Sequence, residues 1–240
     1  METPKEYVQR YYESYSNGHV DEEIRATGTF LAQSVEGVVL DCGCGPVPQL
    51  WAIFMPHATE IQAVDLPEES ISFVEEKLRT VEEWYGDFEE YKKEVETLEG
   101  LLPEDYILKQ IQKIKGVQQA DMSASLPFSD GYFDTVISLY SLGCLKDAAE
   151  LERAITHIDR VLKPGGKLLH INTDGHNKNE TVPAYTWNGI DQSSKEIERL
   201  LTARGFTDMH TAEQKLPADT SGMYAYSAIT LFSATKAADS

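Results

Sequence analysis

Two acids and the glycine-rich turn between them are the residues of this chain whose types and spacing point most directly to chemistry. A short apolar run ends in Asp41, Gly43 and Gly45 follow at once, and a second apolar run ends in Asp65. Glycines allow a tight turn and a close approach of a ligand to the backbone, and an acid about twenty residues further on can accept hydrogen bonds from ribose hydroxyls. The spacing therefore predicts a site for an adenosine-containing ligand.

The residues around the glycines narrow the choice of ligand. A dinucleotide fingerprint needs a third glycine where this chain has Pro48, and no Gly-Lys-Ser/Thr follows that would make a P-loop. Asp41 would repel a pyrophosphate but suits a cationic group. S-adenosylmethionine has an ammonium, a sulfonium and no phosphate, so it is the predicted cofactor. A strand with acid-x-Gly-x-Gly resembles the first motif of the class I S-adenosylmethionine-dependent methyltransferases. The alternative is a glycine turn with only a structural role.

The elements that must hold these residues alternate between strands and helices. The predicted strands are 38–41, 61–65, 117–121, 133–139, 167–172, 209–213 and 223–232. The predicted helices are 4–16, 20–34, 49–55, 67–84, 87–98, 103–115, 147–162 and 192–204. This order predicts an α/β, Rossmann-like fold with a seven-stranded, mostly parallel sheet and a terminal antiparallel hairpin. We expect a single domain over residues 1–240, with N-terminal lid helices in 1–35 and a helical excursion in 86–115.

Composition and charge disfavour several classes of partner. The 240 residues are 41% hydrophobic, which suits one domain with a full core. A formal net charge of −19 argues against nucleic acid as a partner, because phosphate backbones need basic patches. No apolar run is long enough to span a membrane and the N-terminus lacks a signal-peptide pattern, so a cytoplasmic protein is expected. The three cysteines complete no metal-binding pattern, so no metal is expected. The sequence leaves the oligomeric state open, and a monomer is compatible with it.

Several runs resemble the nicotinamide, phenylethanolamine and indolethylamine N-methyltransferase family. They are Pro-Lys-Glu-Tyr-Val-Gln-Arg-Tyr-Tyr at 4–12, Leu-Asp-Cys-Gly-Cys-Gly-Pro at 40–46 followed by Gln-Leu, Gln-Ala-Asp at 119–121, and Leu-Lys-Pro-Gly-Gly at 162–166. The chain departs from the family at the turn, which is one residue shorter and lacks a tyrosine. It also has Asn172 where several members carry an acid.

The first motif and this resemblance together imply the following cofactor-binding residues: Tyr7, Tyr12, Asp41, Gly43, Cys44, Gly45, Asp65, Leu66, Ser70, Asp121, Met122, Leu139 and Tyr140. In the resemblance, the two lid tyrosines reach the methionine end of the cofactor, Asp65 takes the ribose hydroxyls, and Asp121 and Met122 meet the adenine. The predicted substrate-binding residues are Tyr7, Tyr140, Asn172, Asp174, Tyr185 and Trp187. The catalytic residues are left unknown, with Tyr7 and Asp174 as candidates.

The predicted reaction is a direct displacement, in which a lone pair of a small-molecule acceptor attacks the methyl carbon of S-adenosylmethionine. An amine or ring nitrogen is favoured as acceptor, since a neutral amine needs no strong general base. Two alternatives stay open: an O- or C-methyltransferase of a natural-product intermediate, and a non-catalytic protein that binds the cofactor as a partner subunit. His170 lies inside a predicted strand and is expected to be a buried, hydrogen-bonded core residue.

Overall fold

The computed structural model describes residues 3–6, 18–84, 88–173, 194–218 and 227–238. The strands are β1 (Gly37–Cys42), β2 (Ala58–Asp65), β3 (Ile114–Gln119), β4 (Phe133–Leu139), β5 (Leu162–Asn172), β6 (Thr207–Lys215) and β7 (Ala228–Thr235). The helices are α1 (Gly18–Ser34), α2 (Pro48–Ile53), α3 (Glu68–Arg79), α4 (Val81–Trp84), α5 (Glu89–Glu99), α6 (Tyr106–Ile111), α7 (Ala148–Val161) and α8 (Ser194–Thr202). A short 3₁₀ helix, Leu142–Cys144, follows β4.

The seven strands form one sheet in the order β3-β2-β1-β4-β5-β7-β6. Strands β1 to β5 pair in parallel, whereas β7 pairs antiparallel with both β5 and β6. The predicted fold, a mostly parallel sheet with a terminal antiparallel hairpin, is therefore confirmed. The strand order reverses between β1 and β4, and in open α/β sheets such a switch point opens a crevice at the carboxyl ends of the strands.

Apolar periodicity explains how the helices bury the sheet on both faces. In α7, five buried residues recur at helical spacing, namely Leu151, Ala154, Ile155, Ile158 and Val161. The same helix begins at Asp147, whose carboxylate accepts a hydrogen bond from the Glu150 N–H at 2.8 Å. Helices α7 and α8 pack in one core cluster, and α1, α2, α5 and α6 pack in the other. The sheet is thus a rigid support for the residues at its carboxyl edge.

Several predicted boundaries differ from the structure, such as the start of β2 at Ala58 and the end of β7 at Thr235. Three further differences involve β3, β5 and the helix expected over 67–84. The helix expected over 103–115 ends at Ile111, and β3 begins at Ile114, three residues before the predicted strand. The helix expected over 67–84 is divided at Thr80 into α3 and α4. Strand β5 starts at Leu162 rather than at 167, because Leu162 pairs with Phe133 ahead of a register shift. For β3 and β5, pairing with a distant strand overrides the local pattern.

The structure describes only part of the predicted N-terminal helices. Residues 4–6 are helical, as expected for the start of the predicted helix 4–16, and residues 7–16 of that helix lie outside the described residues. Helix α1 buries Ile24 and Leu31 in the core cluster that it shares with α2. The lid role of residues 1–35 stays a prediction. None of the described helices is both long enough and apolar enough to cross a membrane.

Candidate active site

The glycine-rich turn is fastened to the end of the neighbouring strand. The backbone N–H groups of Gly43 and Cys44 both donate to the carbonyl of Val64, at 2.8 Å and 3.0 Å. Gly43 has φ +78° and Gly45 has φ +58°, a left-handed conformation in which side chains are strained. Both glycines are therefore required by the path of the backbone.

The two glycines differ in what surrounds them. A Cβ added at Gly43 would lie 2.3 Å from Cβ of Ser141 and 3.0 Å from Cε of Met122. A Cβ added at Gly45 would have no atom of the described residues within 4 Å. Gly43 therefore lets the turn pack against the end of β4, whereas Gly45 leaves open the space that a ligand can enter. The sequence predicted both as cofactor-binding residues without separating these roles.

Asp65 ends β2 beside that open space. The N–H of Leu66 donates to Oδ1 of Asp65 at 2.9 Å. Burial raises the pKa of the Asp65 carboxyl, and hydrogen bonding to Leu66, Gly45 and the Ser70 hydroxyl opposes this by lowering it. Three residues predicted from the sequence, Gly45, Asp65 and Ser70, are thus brought together by the turn, the strand and the start of α3. The carboxylate is held in place as an acceptor for hydroxyl groups.

Asp41 is a buried acid one residue before the end of β1. Only 1% of its surface is exposed, and neither carboxylate oxygen has a hydrogen-bond partner among the described residues. Burial raises the pKa of Asp41 to about 8, and the charge of Asp65 adds to the effect. A buried carboxylate without a partner fits a site that receives a positive group from a ligand. S-adenosylmethionine, with its ammonium and sulfonium, meets that requirement.

The residues that follow β3 and β2 lie at the same edge of the sheet. The Ser123 N–H and hydroxyl each lie 2.8 Å from Oδ1 of Asp121, which fixes that carboxylate. Leu66 is 59% exposed, and its carbonyl accepts a hydrogen bond from Nε2 of Gln119 at 2.9 Å. With Met122 close to Gly43, the structure places Asp121, Met122 and Leu66 around the same turn as Asp41 and Asp65.

The thiols of Cys42 and Cys44 are buried and lack the features that activate a cysteine nucleophile. Cys42 and Cys44 are both buried, and burial together with the charges of Asp41 and Asp65 raises the pKa of each thiol above its ordinary value. Sγ of Cys44 donates to the carbonyl of Gly45 at 3.3 Å. Cys44 therefore has a structural place in the turn.

The end of β4 turns sharply at Tyr140. This residue has φ +62°, a conformation that non-glycine residues rarely adopt, and its N–H donates to the carbonyl of Ile171 at 2.9 Å. Its neighbour Leu139 is buried against the core. Such strain is found where the surrounding structure fixes it, often in active sites.

Ser141 is a site residue that the sequence prediction missed. Its hydroxyl donates to the carbonyl of Cys42 at 2.6 Å and lies 2.7 Å from the hydroxyl of Ser138. It also occupies the space that the absent side chain of Gly43 leaves free. The bond to Cys42 joins residues 99 positions apart, so no local sequence signal could have identified it.

The end of β5 lies beside the end of β4. Asn172 is buried, and its Oδ1 accepts a hydrogen bond from the N–H of Thr173 at 2.9 Å. His170 is fully buried with Nδ1 3.0 Å from the carbonyl of Ser138, so its prediction as a core residue is confirmed. Five predicted site residues lie outside the described residues: Tyr7, Tyr12, Asp174, Tyr185 and Trp187.

Solved structures with the same fold cover almost the whole chain. The N-methyltransferase NodS of Bradyrhizobium japonicum, solved with S-adenosylhomocysteine, aligns with TM-score 0.59 at 14% identity, over 94% of this chain and 91% of that one. A methyltransferase of Thermotoga maritima described as a possible histamine N-methyltransferase aligns with TM-score 0.56 at 18% identity, over 96% of each chain. At these identities the alignments establish the fold.

A sequence relative and a family model identify the chain further. The ubiquinone/menaquinone biosynthesis C-methyltransferase of Bordetella avium is 42% identical over 62 residues, which are 26% of this chain and 23% of that protein. The model of the methyltransferase domain family matches residues 40–170, more than half of the chain, and includes the turn and both acids. The chain therefore belongs to the methyltransferase domain family.

Proposed function

We propose that this chain transfers the methyl group of S-adenosylmethionine by direct displacement to a small-molecule acceptor, an amine or a ring nitrogen. The cofactor supplies a methyl group already activated by a positively charged sulfur. What the protein contributes is the binding of both molecules, their alignment and the exclusion of water.

The residues of the cofactor side have separate tasks in this proposal. Asp65, fixed by the Leu66 N–H, accepts hydrogen bonds from the ribose hydroxyls, and Asp121 and Met122 bind the adenine. Gly45 leaves the space through which the cofactor approaches the turn. Asp41 attracts the positive end of the cofactor, because a cation offsets the cost of its buried charge.

The observation that supports a nitrogen acceptor is the chemistry of the acceptor side. The described residues at the ends of β4 and β5 are Leu139, Tyr140 and Asn172, and none of the three carries a carboxylate or an imidazole. The imidazole of His170 is fully buried and bonded to Ser138 rather than exposed at this edge. An amine bound in its neutral form needs only orientation and desolvation to attack, whereas a hydroxyl or a carbon acid needs a base.

An acceptor screen with labelled cofactor tests this proposal. The full chain is incubated with methyl-labelled S-adenosylmethionine and with pyridines, aryl-ethylamines, phenols and quinols, and methylated products are identified by mass spectrometry. Label on nitrogen is the expected result. Label exclusively on oxygen or carbon would contradict the nitrogen acceptor. Cofactor binding without transfer to any acceptor class would instead favour the non-catalytic alternative.

A C-methyltransferase is the second candidate, because the curated relative with 42% identity over 62 residues is a C-methyltransferase. Methylation of an aromatic carbon requires a base to remove the ring proton after attack. Asp174, which lies outside the described residues, is the candidate base from the sequence. In the same screen, Asp174→Asn should abolish transfer to a carbon acceptor and should change transfer to an amine little.

A further inference from the structure

Among the described residues, none balances the charge of a carboxylate at Asp41, near the end of β1. Asp41 is 1% exposed, and neither of its oxygens has a hydrogen-bond partner among the described residues. An ionised carboxylate in such surroundings costs several kcal/mol unless a counter-charge is present, and the usual response is to take up a proton. Without a bound counter-charge, Asp41 therefore favours the neutral carboxylic acid.

The titratable groups around Asp41 do not supply that counter-charge. On β2 the charged neighbour is Asp65, which repels a second negative charge. On β1 and in the turn, the titratable neighbours are the buried thiols of Cys42 and Cys44. The segment 46–55, which follows the turn, carries no charged side chain. The described surroundings thus contain one acid and no cation that acts on Asp41.

A positively charged ligand changes this balance. Its charge beside Asp41 favours the carboxylate, so the O–H bond of the carboxyl breaks and the proton passes to solvent. A neutral ligand that fills the same space removes water without supplying charge and leaves the carboxylic acid as it is.

We propose that Asp41 is protonated in the ligand-free protein and releases the proton when a positively charged ligand binds. Asp41 is then the residue that selects cationic ligands. The inference rests on S-adenosylmethionine as the cofactor. It goes beyond simple attraction, because it couples binding to proton release. Since burial places the pKa of Asp41 at about 8, affinity for a cation should rise by up to about tenfold per pH unit as the pH approaches that value.

Calorimetric titration in buffers of different ionisation enthalpy counts the protons released on binding. The full chain is titrated near neutral pH with S-adenosylmethionine, with S-adenosylhomocysteine, which keeps the ammonium but lacks the sulfonium charge, and with methylthioadenosine, which lacks both charges. Release of about one proton with the first two ligands, and none with the third, supports the proposal and identifies the ammonium as the partner. Release with S-adenosylmethionine alone supports it and identifies the sulfonium.

Two other results would overturn the proposal. Binding without proton release, or equal release with the neutral ligand, would show that Asp41 does not respond to ligand charge, while the cofactor assignment would stand. No binding of S-adenosylmethionine or S-adenosylhomocysteine would overturn the assignment and the proposal together.

A pair of variants assigns the proton to Asp41. Asp41→Asn should release no proton with any ligand and should lose most of its preference for S-adenosylhomocysteine over methylthioadenosine. The control is Asp105→Asn, which removes one negative charge from an exposed ion pair with Lys109. It should release as many protons as the wild type. Proton release that persists in a folded Asp41→Asn variant would overturn the assignment, and the wild-type counts remain decisive if that variant does not fold.

Discussion

The two halves of the carboxyl edge of the sheet are built differently. At the ends of β1 and β2, two acids lie within one segment of about twenty-five residues, and backbone N–H groups fix the turn between them. At the ends of β4 and β5, the described residues carry no formal charge, and Tyr140 is held in a strained conformation by contacts with distant strands. We call the first half, at β1 and β2, the charged half and the second, at β4 and β5, the shape half. The two meet where Ser141 packs against Gly43.

The largest effect on stability is expected where Ser141 packs against Gly43. Gly43→Ala combines a left-handed backbone with a side chain that would collide with Ser141, and should lower the free energy of unfolding by roughly 2–5 kcal/mol. Gly45→Ala, with the same strain but free space, should lower it by only about 1–2 kcal/mol and should weaken binding of S-adenosylhomocysteine. Urea denaturation and calorimetry measure both. Equal losses of stability would mean that the contact with Ser141 does not distinguish the glycines.

A change of pH should alter the stability of the protein through the two acids of the charged half, Asp41 and Asp65. The folded-state pKa of Asp41 is raised to about 8, above its value in the unfolded chain, so the folded protein binds the extra proton between these values. The stability of the cofactor-free protein should therefore fall as pH rises from about 5 to about 8, by up to roughly 4 kcal/mol, and burial of Asp65 should add to the same trend.

Asp41→Asn should remove most of that slope, measured as the free energy of unfolding in urea at each pH. Asp105→Asn controls for the general effect of one negative charge fewer, because Asp105 is exposed in an ion pair with Lys109. If the slope were the same in wild type, Asp41→Asn and Asp105→Asn, the pH dependence would arise from the overall charge instead.

Asp65→Ala tests the role of the charged half in cofactor binding directly. Loss of the acceptor for the ribose hydroxyls should weaken S-adenosylhomocysteine binding by about 10- to 100-fold, since hydrogen bonds to a charged group contribute about 1.5–3 kcal/mol. Calorimetric titration measures the dissociation constant, with Asp130→Ala at an exposed ion pair with Arg160 as the control. An unchanged constant would show that Asp65 is not the ribose acceptor.

The smallest effect is expected from Ser141→Ala, which tests the shape half. It removes the hydrogen bonds to Cys42 and Ser138 but keeps Cβ, so it should cost about 1–2 kcal/mol of stability. Binding of S-adenosylhomocysteine should change by less than about threefold, because the acids are untouched. A loss of binding comparable to that of Asp65→Ala would mean that the two halves do not act separately.

The sequence predicted the charged half better than the shape half. The reason is that the residues of the charged half are close together in the sequence, whereas contacts of the shape half join residues that are far apart in it. Asp41, Gly45 and Asp65 are linked by short segments whose geometry follows from the strand-turn-helix-strand order. The contact between Ser141 and Gly43 depends on β1 pairing with β4, which no local pattern specifies.

The same reasoning accounts for the misplaced start of β3. Helical periodicity continues past Ile111 without a glycine or proline, so the sequence predicted helix up to 115. Pairing of Ile114 with Ile61 of β2 determines the conformation there instead. The early start of β5 is similar: Gly165, with φ +79°, lies in the segment between the pairs Phe133–Leu162 and Thr135–Lys167.

The position of β7 between β5 and β6 has a consequence for synthesis. Strand β6 precedes β7 in the chain, yet every described sheet partner of β6 lies in β7. During synthesis, both edges of β6 therefore stay unpaired until β7, residues 228–235, has been made. A chain that ends at residue 218 would therefore contain β6 but not β7, the strand that joins β6 to the sheet. Within the described sheet, β6 can pair only after the strand that follows it in the chain has been made.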